Sequence, residues 1–185
     1  MAAKEITFSP EKALESVLYI ASKLKKPTIH EVLKVRYFAD KLHLAKYGYL
    51  ASGDDYVAMK FGPVASSTYN LLKAARGDQN GWIHPLFAKL VDGSLSVAAD
   101  RVTLQPLRPP SLEYLSRADV SCLDEAIRRY GNMPFNERTE LSHDDAWKEA
   151  WAIASDDEVG QSPMAVRSIA GTLPNADEVI AHLED

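Results

Sequence analysis

Within ten residues this chain changes from a period-two pattern to a helical one, and the dipeptide Gly62-Pro63 sits at the change. From Tyr56 to Phe61 the side chains alternate, with Val57, Met59 and Phe61 on one side and Tyr56, Ala58 and Lys60 on the other, which predicts a short strand. From Ser66 the apolar residues Tyr69, Leu72 and Ala75 recur at helical spacing, and Gly77 is a stop. Gly62 can adopt backbone angles barred to other residues and Pro63 locks the turn, so the pair is read as ending the strand and setting the angle to the helix.

The flanking sequence is helical. Ser9 with Pro10 opens a first helix whose stripe is Leu14, Val17, Leu18, Ala21 and Leu24, and Pro27 prevents its continuation. Thr28 and Glu31 have capping-box spacing for a second helix, with a stripe of Val35, Phe38, Leu42 and Ala45 and a stop at Gly48. The apolar runs Leu86 to Val91, Leu95 to Ala99 and Val102 to Leu104 are separated by turn residues and predict a hairpin or meander. Beyond the prolines at 106, 109 and 110 the pattern is helical again. Val120, Leu123, Ile127 and Tyr130 form one stripe, Asn136 and Asp144 are expected caps, and Trp147 and Trp151 are spaced i, i+4. Asn175 is expected to cap a last short helix. The fold class expected is α+β, mainly α: a helical core with a short strand and a small antiparallel β-hairpin or meander.

Composition excludes several functions. No apolar run approaches the ~20 residues of a membrane span, and the opening residues lack a leader's apolar segment, so a cytoplasmic protein is expected. The one cysteine, Cys122, is read as a small buried thiol. Charge is uneven: residues 1–76 hold 12 Lys plus Arg against 7 Asp plus Glu, whereas residues 77–185 hold 9 against 19. Such a split either guides a charged partner or marks two differently solvated faces.

No arrangement of catalytic groups stands out. The five histidines include no i, i+4 pair, and His143-Asp144-Asp145 are neighbours that diverge on a helix, so no metal and no cofactor is expected. There is no nucleophile elbow and no phosphate-cradling glycine loop, and a non-enzyme is expected. Helix, strand, helix and hairpin could compose a winged-helix DNA-binding regulator with Ser66 to Arg76 in the major groove. That helix carries only Lys73 and Arg76, and the chain has a pI near 5.6, both against phosphate-dominated binding.

Three segments carry a resemblance: KVRYFADKLHLAKYG ending at Gly48, YVAMKFGPVASSTYNLLKAARG with its Gly62-Pro63-Val64 corner, and LSHDDAWKEAW with His143 and Trp147. Together they resemble the Panacea domain, the family of the SocA-like antitoxins, over roughly residues 10 to 155. The domain is assigned to residues 1–155, and residues 156–185 to an acidic, helical C-terminal extension of the same domain. The resemblance implies an antitoxin of a bacterial or phage toxin–antitoxin system, binding a cognate toxin protein directly and using no catalysis. In the SocA branch it further implies a proteolytic adaptor that delivers the toxin to the ClpXP protease. Gly48, Gly62, Pro63, His143 and Trp147 are assigned to the structural motif. Tyr56, Lys60, Val64 and Tyr69 are the expected partner contacts, because an aromatic ring with a polar tip anchors an interface at little entropic cost.

Overall fold

A computed structural model describes residues 7–79, 83–154 and 160–184. The boundary expected at residue 155 and the acids at 156–158 lie outside the described residues. Helix α1 (Pro10–Lys23) starts where Ser9 Oγ accepts the Lys12 amide at 3.4 Å. Helix α2 (Ile29–Tyr47) starts where Thr28 Oγ1 accepts the Glu31 amide at 3.1 Å. It ends at Gly48, whose φ of +80° closes the helix through a 2.9 Å bond from its N–H to Leu44 O.

The second helix departs from the expected single stripe. Val32, Leu33, Val35, Tyr37, Phe38 and Leu44 are buried, and so are Lys34, Arg36, Asp40 and His43. It is the central helix, packed by α1 and, further along the chain, by four more helices and a strand. Its polar residues are therefore interior groups with partners from elsewhere. Arg36 lies 3.9 Å from Asp40, which also accepts the Tyr56 hydroxyl at 2.7 Å and the Ala51 amide at 3.1 Å.

Strand β1 (Tyr56–Met59) is followed by a two-residue turn at Lys60 and Phe61, and the chain returns as β2 (Gly62–Ala65) with Met59 opposite Gly62. Gly62-Pro63 therefore begins a second strand instead of ending the first. Gly62 has φ +99°, and Pro63, which lacks an N–H, is placed on an edge strand. Helix α3 (Ser66–Ala75) follows without a cap of its own. Asp54 supplies one from before the strand, accepting Ser67 N at 2.9 Å, Thr68 N at 2.8 Å and Thr68 Oγ1 at 2.6 Å. Removing it leaves two buried donors at a helix N-terminus unsatisfied. Asp54→Ala is expected to lose about 2–3 kcal/mol in urea denaturation, and Asp54→Asn clearly less.

The run Leu86 to Val91 is helix α4 (Pro85–Val91), not a strand. Pro85 takes the first position and His84 Nδ1 accepts the Leu86 amide at 3.2 Å. A short apolar run is ambiguous by periodicity alone. The other two runs form the hairpin of β3 (Leu95–Val97) and β4 (Leu104–Pro106). Helix α5 (Arg117–Tyr130) opens on a reciprocal Ser116–Asp119 capping box. Helix α6 (Phe135–Ser142) starts after Pro134 and not at the expected Asn136 cap. Asp144 caps α7 (Asp145–Ala154), its Oδ1 accepting Trp147 N at 3.1 Å.

After residue 160 the chain adds β5 (Ser162–Met164) to the free side of β1, giving the sheet order β2-β1-β5. Helices α8 (Val166–Gly171) and α9 (Ala176–Glu184) then pack against α2, with Asn175 Nδ2 donating to Ala45 O at 2.9 Å. Part of the charge asymmetry is used inside the fold. Lys12, Lys23 and Lys46 pair with Asp119, Asp124 and Glu125 of α5, and Lys41 with Asp144, all at 2.7–2.9 Å.

Candidate functional site

The β1–β2 hairpin is held at its tip by side chains from other elements. Trp147 Nε1 donates to Met59 O at 3.0 Å, and Lys34 Nζ donates to Pro63 O at 2.7 Å. The Trp147 indole lies flat between His143, 3.5 Å away at 3°, and Trp151, 5.6 Å away at 11°. Ser142 Oγ donates to Thr139 O at 2.7 Å and faces Gly62. A Cβ on Gly62 would collide with that oxygen and lie 2.9 Å from Lys34 Cε. Backbone and side chains are thus interlocked, and the tip is preorganised.

Beneath the tip lies a group of basic residues. Lys34 is 1% exposed, and burial, followed by the charge of Arg138, pushes its ammonium down to about 7. Burial, then Lys34 and Arg138, pushes His30 to about 3. His143 is lowered by burial and then by Lys34. Both imidazoles are therefore neutral at neutral pH. The carboxylate paired here is Glu31, 3.4 Å from Arg138, and burial raises its own pKa.

Above this group, Lys60, Phe61 and Phe135 reach the surface. The rings of Phe61 and Phe135 meet edge-on at 5.9 Å, Phe135 packs on His30 at 4.1 Å, and Lys60 Nζ lies 5.6 Å from the Phe61 ring. Phe61 is 52% exposed and Phe135 46%. Exposed aromatics in contact, one of them on a tethered turn, are the kind of group that carries binding energy at protein interfaces.

Of the four expected contacts, Lys60 is at the surface. Tyr56 is not: it is 2% exposed, packs on Tyr37 at 5.1 Å, and its hydroxyl is bound by Asp40. The strand has the expected two sides, but the side bearing Tyr56 and Ala58 faces inward. Val64 is also interior, at 8% exposed. Tyr69 is half-buried on α3, its ring 5.0 Å from Lys73 of the same helix, and the structure does not join it to the tip. Phe61, Phe135 and Lys34, which the structure brings to the tip, are not singled out by sequence pattern. The signal that could have found Phe61 is Lys60-Phe61 directly before a glycine, a two-residue hairpin turn.

Arg76, one of the two cations counted for a DNA-reading helix, is held by Asp78 at 2.5 Å. Among the described residues no group of three His, Cys, Asp or Glu could hold a metal, and no helix is long and apolar enough to cross a membrane. A family model described as antitoxin SocA-like, Panacea domain, matches residues 32–148. No curated protein and no solved structure matches the chain.

Proposed function

The chain belongs to the SocA-like antitoxin family of Panacea-domain proteins, and on that premise we propose that it neutralises a separately encoded toxin by binding it directly, without a chemical step. The single observation supporting a binding mechanism is the hairpin tip, where exposed Phe61, in contact with exposed Phe135 of α6, is presented on a turn whose flanking carbonyls are held by Trp147 and Lys34. Such a surface binds with little ordering cost. The contact is assigned to Lys60, one of the four expected contacts, together with Phe61, whereas Tyr56 and Val64 are interior. The complex forms in the cytoplasm, where the toxin is made.

Co-expression with the product of the adjacent gene tests the reading. Growth is restored by the wild-type chain and lost again when the tip is blunted. Phe61→Ala is expected to weaken the complex at least about tenfold, as truncation of a central aromatic anchor does. Continued toxicity with both proteins folded and abundant would contradict the proposal. The same complex would let the chain act as an adaptor to ClpXP. Toxin half-life in the presence of ClpXP then falls when the chain is added, and an unchanged half-life leaves neutralisation by binding alone.

A further inference from the structure

The chemistry of the partner follows from the acids left uncompensated beside the hairpin tip. Four lysines of α1 and α2 neutralise Asp119, Asp124, Glu125 and Asp144. On α7, Asp145 is paired with Lys148 at 3.0 Å. Several described acids enter no ion pair, among them Glu11, Glu113, Glu149 and Glu178; Glu137 and Glu140 are the two carried by α6, the helix that adjoins the hairpin tip, and both are exposed. Together with Leu141, which is 48% exposed, they are spaced i, i+3, i+4 and form one outward helical face. The same helix begins at Phe135, the residue in contact with Phe61 at the hairpin tip.

Two independent features therefore meet at α6: an exposed aromatic pair, Phe61 on the tethered turn and Phe135 at the start of the helix, and an acidic face that no lysine among the described residues neutralises. Desolvating apolar contact gives an interface its affinity, and uncompensated charge beside it gives orientation and rate of approach. We infer that the tip and the outer face of α6 form one docking surface, and that it receives a toxin whose own docking surface is basic around an apolar pocket. The inference rests on the antitoxin reading and adds the face and the partner's charge to it. A second copy of this chain is a poorer occupant, since the acidic face would meet itself across a two-fold axis.

Binding of the purified adjacent-gene product is measured by calorimetry at two salt concentrations, for the wild-type chain and two double variants of equal charge. Glu137→Lys with Glu140→Lys is expected to weaken binding at least tenfold at low salt and to remove most of the salt dependence. Glu113→Lys with Glu178→Lys, on exposed positions elsewhere, is expected to stay within about twofold. Circular dichroism checks folding, and the neutral pair Glu137→Gln with Glu140→Gln gives an intermediate loss if the fold is intact. Equal effects of the two lysine pairs, or none from the α6 pair, overturn the face while leaving the antitoxin reading standing. Wild-type dimerisation abolished by the α6 variants would assign the face to a second copy instead. No binding by the wild type overturns both readings.

Discussion

Replacing Lys34 with methionine makes the stability difference from the wild type steeply dependent on pH. The amine titrates near 10.5 in an ordinary setting and near 7 in the fold, because burial and then the charge of Arg138 disfavour the ammonium. Between those values the unfolded chain holds more protons than the folded one, so raising the pH favours the folded wild type. The methionine variant lacks the group. From pH 7 to about pH 10 the difference moves toward the wild type by about 1.4 kcal/mol per pH unit, about 4 kcal/mol in all. Just below pH 7 it levels off, and there the wild type carries the full cost of a buried charge; further down, His30 and His143, which the Lys34 charge helps to hold low, add a change of their own. The lost bond to Pro63 O does not vary with pH. Tyr37 and Tyr56, raised well above the ordinary tyrosine range by burial and then by Asp144 and Asp40 respectively, are common to both proteins and cancel. Urea denaturation at a series of pH values reads the slope. A flat difference would place Lys34 in water, contrary to the structure.

Gly62→Val is expected to cost about 2–5 kcal/mol, through two separable effects. Its φ of +99° is one that side chains with a Cβ rarely adopt, a penalty of about 1–2 kcal/mol. The added atoms also press on Ser142 Oγ and Lys34 Cε, an overpacking of about 1–3 kcal/mol. Combining it with Ser142→Gly relieves part of the second effect and none of the first, so the double variant recovers roughly 1 kcal/mol relative to the sum of the singles. Asp54→Ala provides a comparison of similar destabilisation at the α3 cap, away from the tip. At matched folded concentrations Gly62→Val loses far more toxin neutralisation than Asp54→Ala, because it moves Lys60 and Phe61 off their support. Equal loss in the two variants would mean that the hairpin matters only for stability.

Local signals made much of this legible. Ser9, Thr28 and Gly48 mark helix ends by short-range hydrogen bonds and backbone angles, and the structure uses each of them so. The alternation from Tyr56 is a strand. What sequence did not reveal depended on residues far apart in the chain. Lys34, Arg36, Asp40 and His43 look like the solvent face of an amphipathic helix. They are interior because α5, α6, α8 and β2 close over them, and their contacts come from Pro63, Ser52, Tyr56, Asp119 and Tyr49. For the same reason Tyr56 reads as an exposed anchor when its hydroxyl serves Asp40. The charge split along the chain suggested either a partner or two solvated faces, and the fold uses part of it in ion pairs between α1, α2 and the later helices. Strand β5 is three residues long with Pro163 at its centre, too short for its alternation of burial to be read from sequence, so only its pairing with β1 identifies it.

The central claim is direct binding of a toxin through the hairpin tip. The purified adjacent-gene product, mixed with the wild-type chain and with Phe61→Ala, tests it most directly by calorimetry and size-exclusion chromatography. The account predicts a stable complex for the wild type and at least a tenfold weaker one for Phe61→Ala, with the folded state of the variant unchanged. A toxic neighbour that forms no complex with the wild-type chain, or one that binds Phe61→Ala equally well, would contradict it.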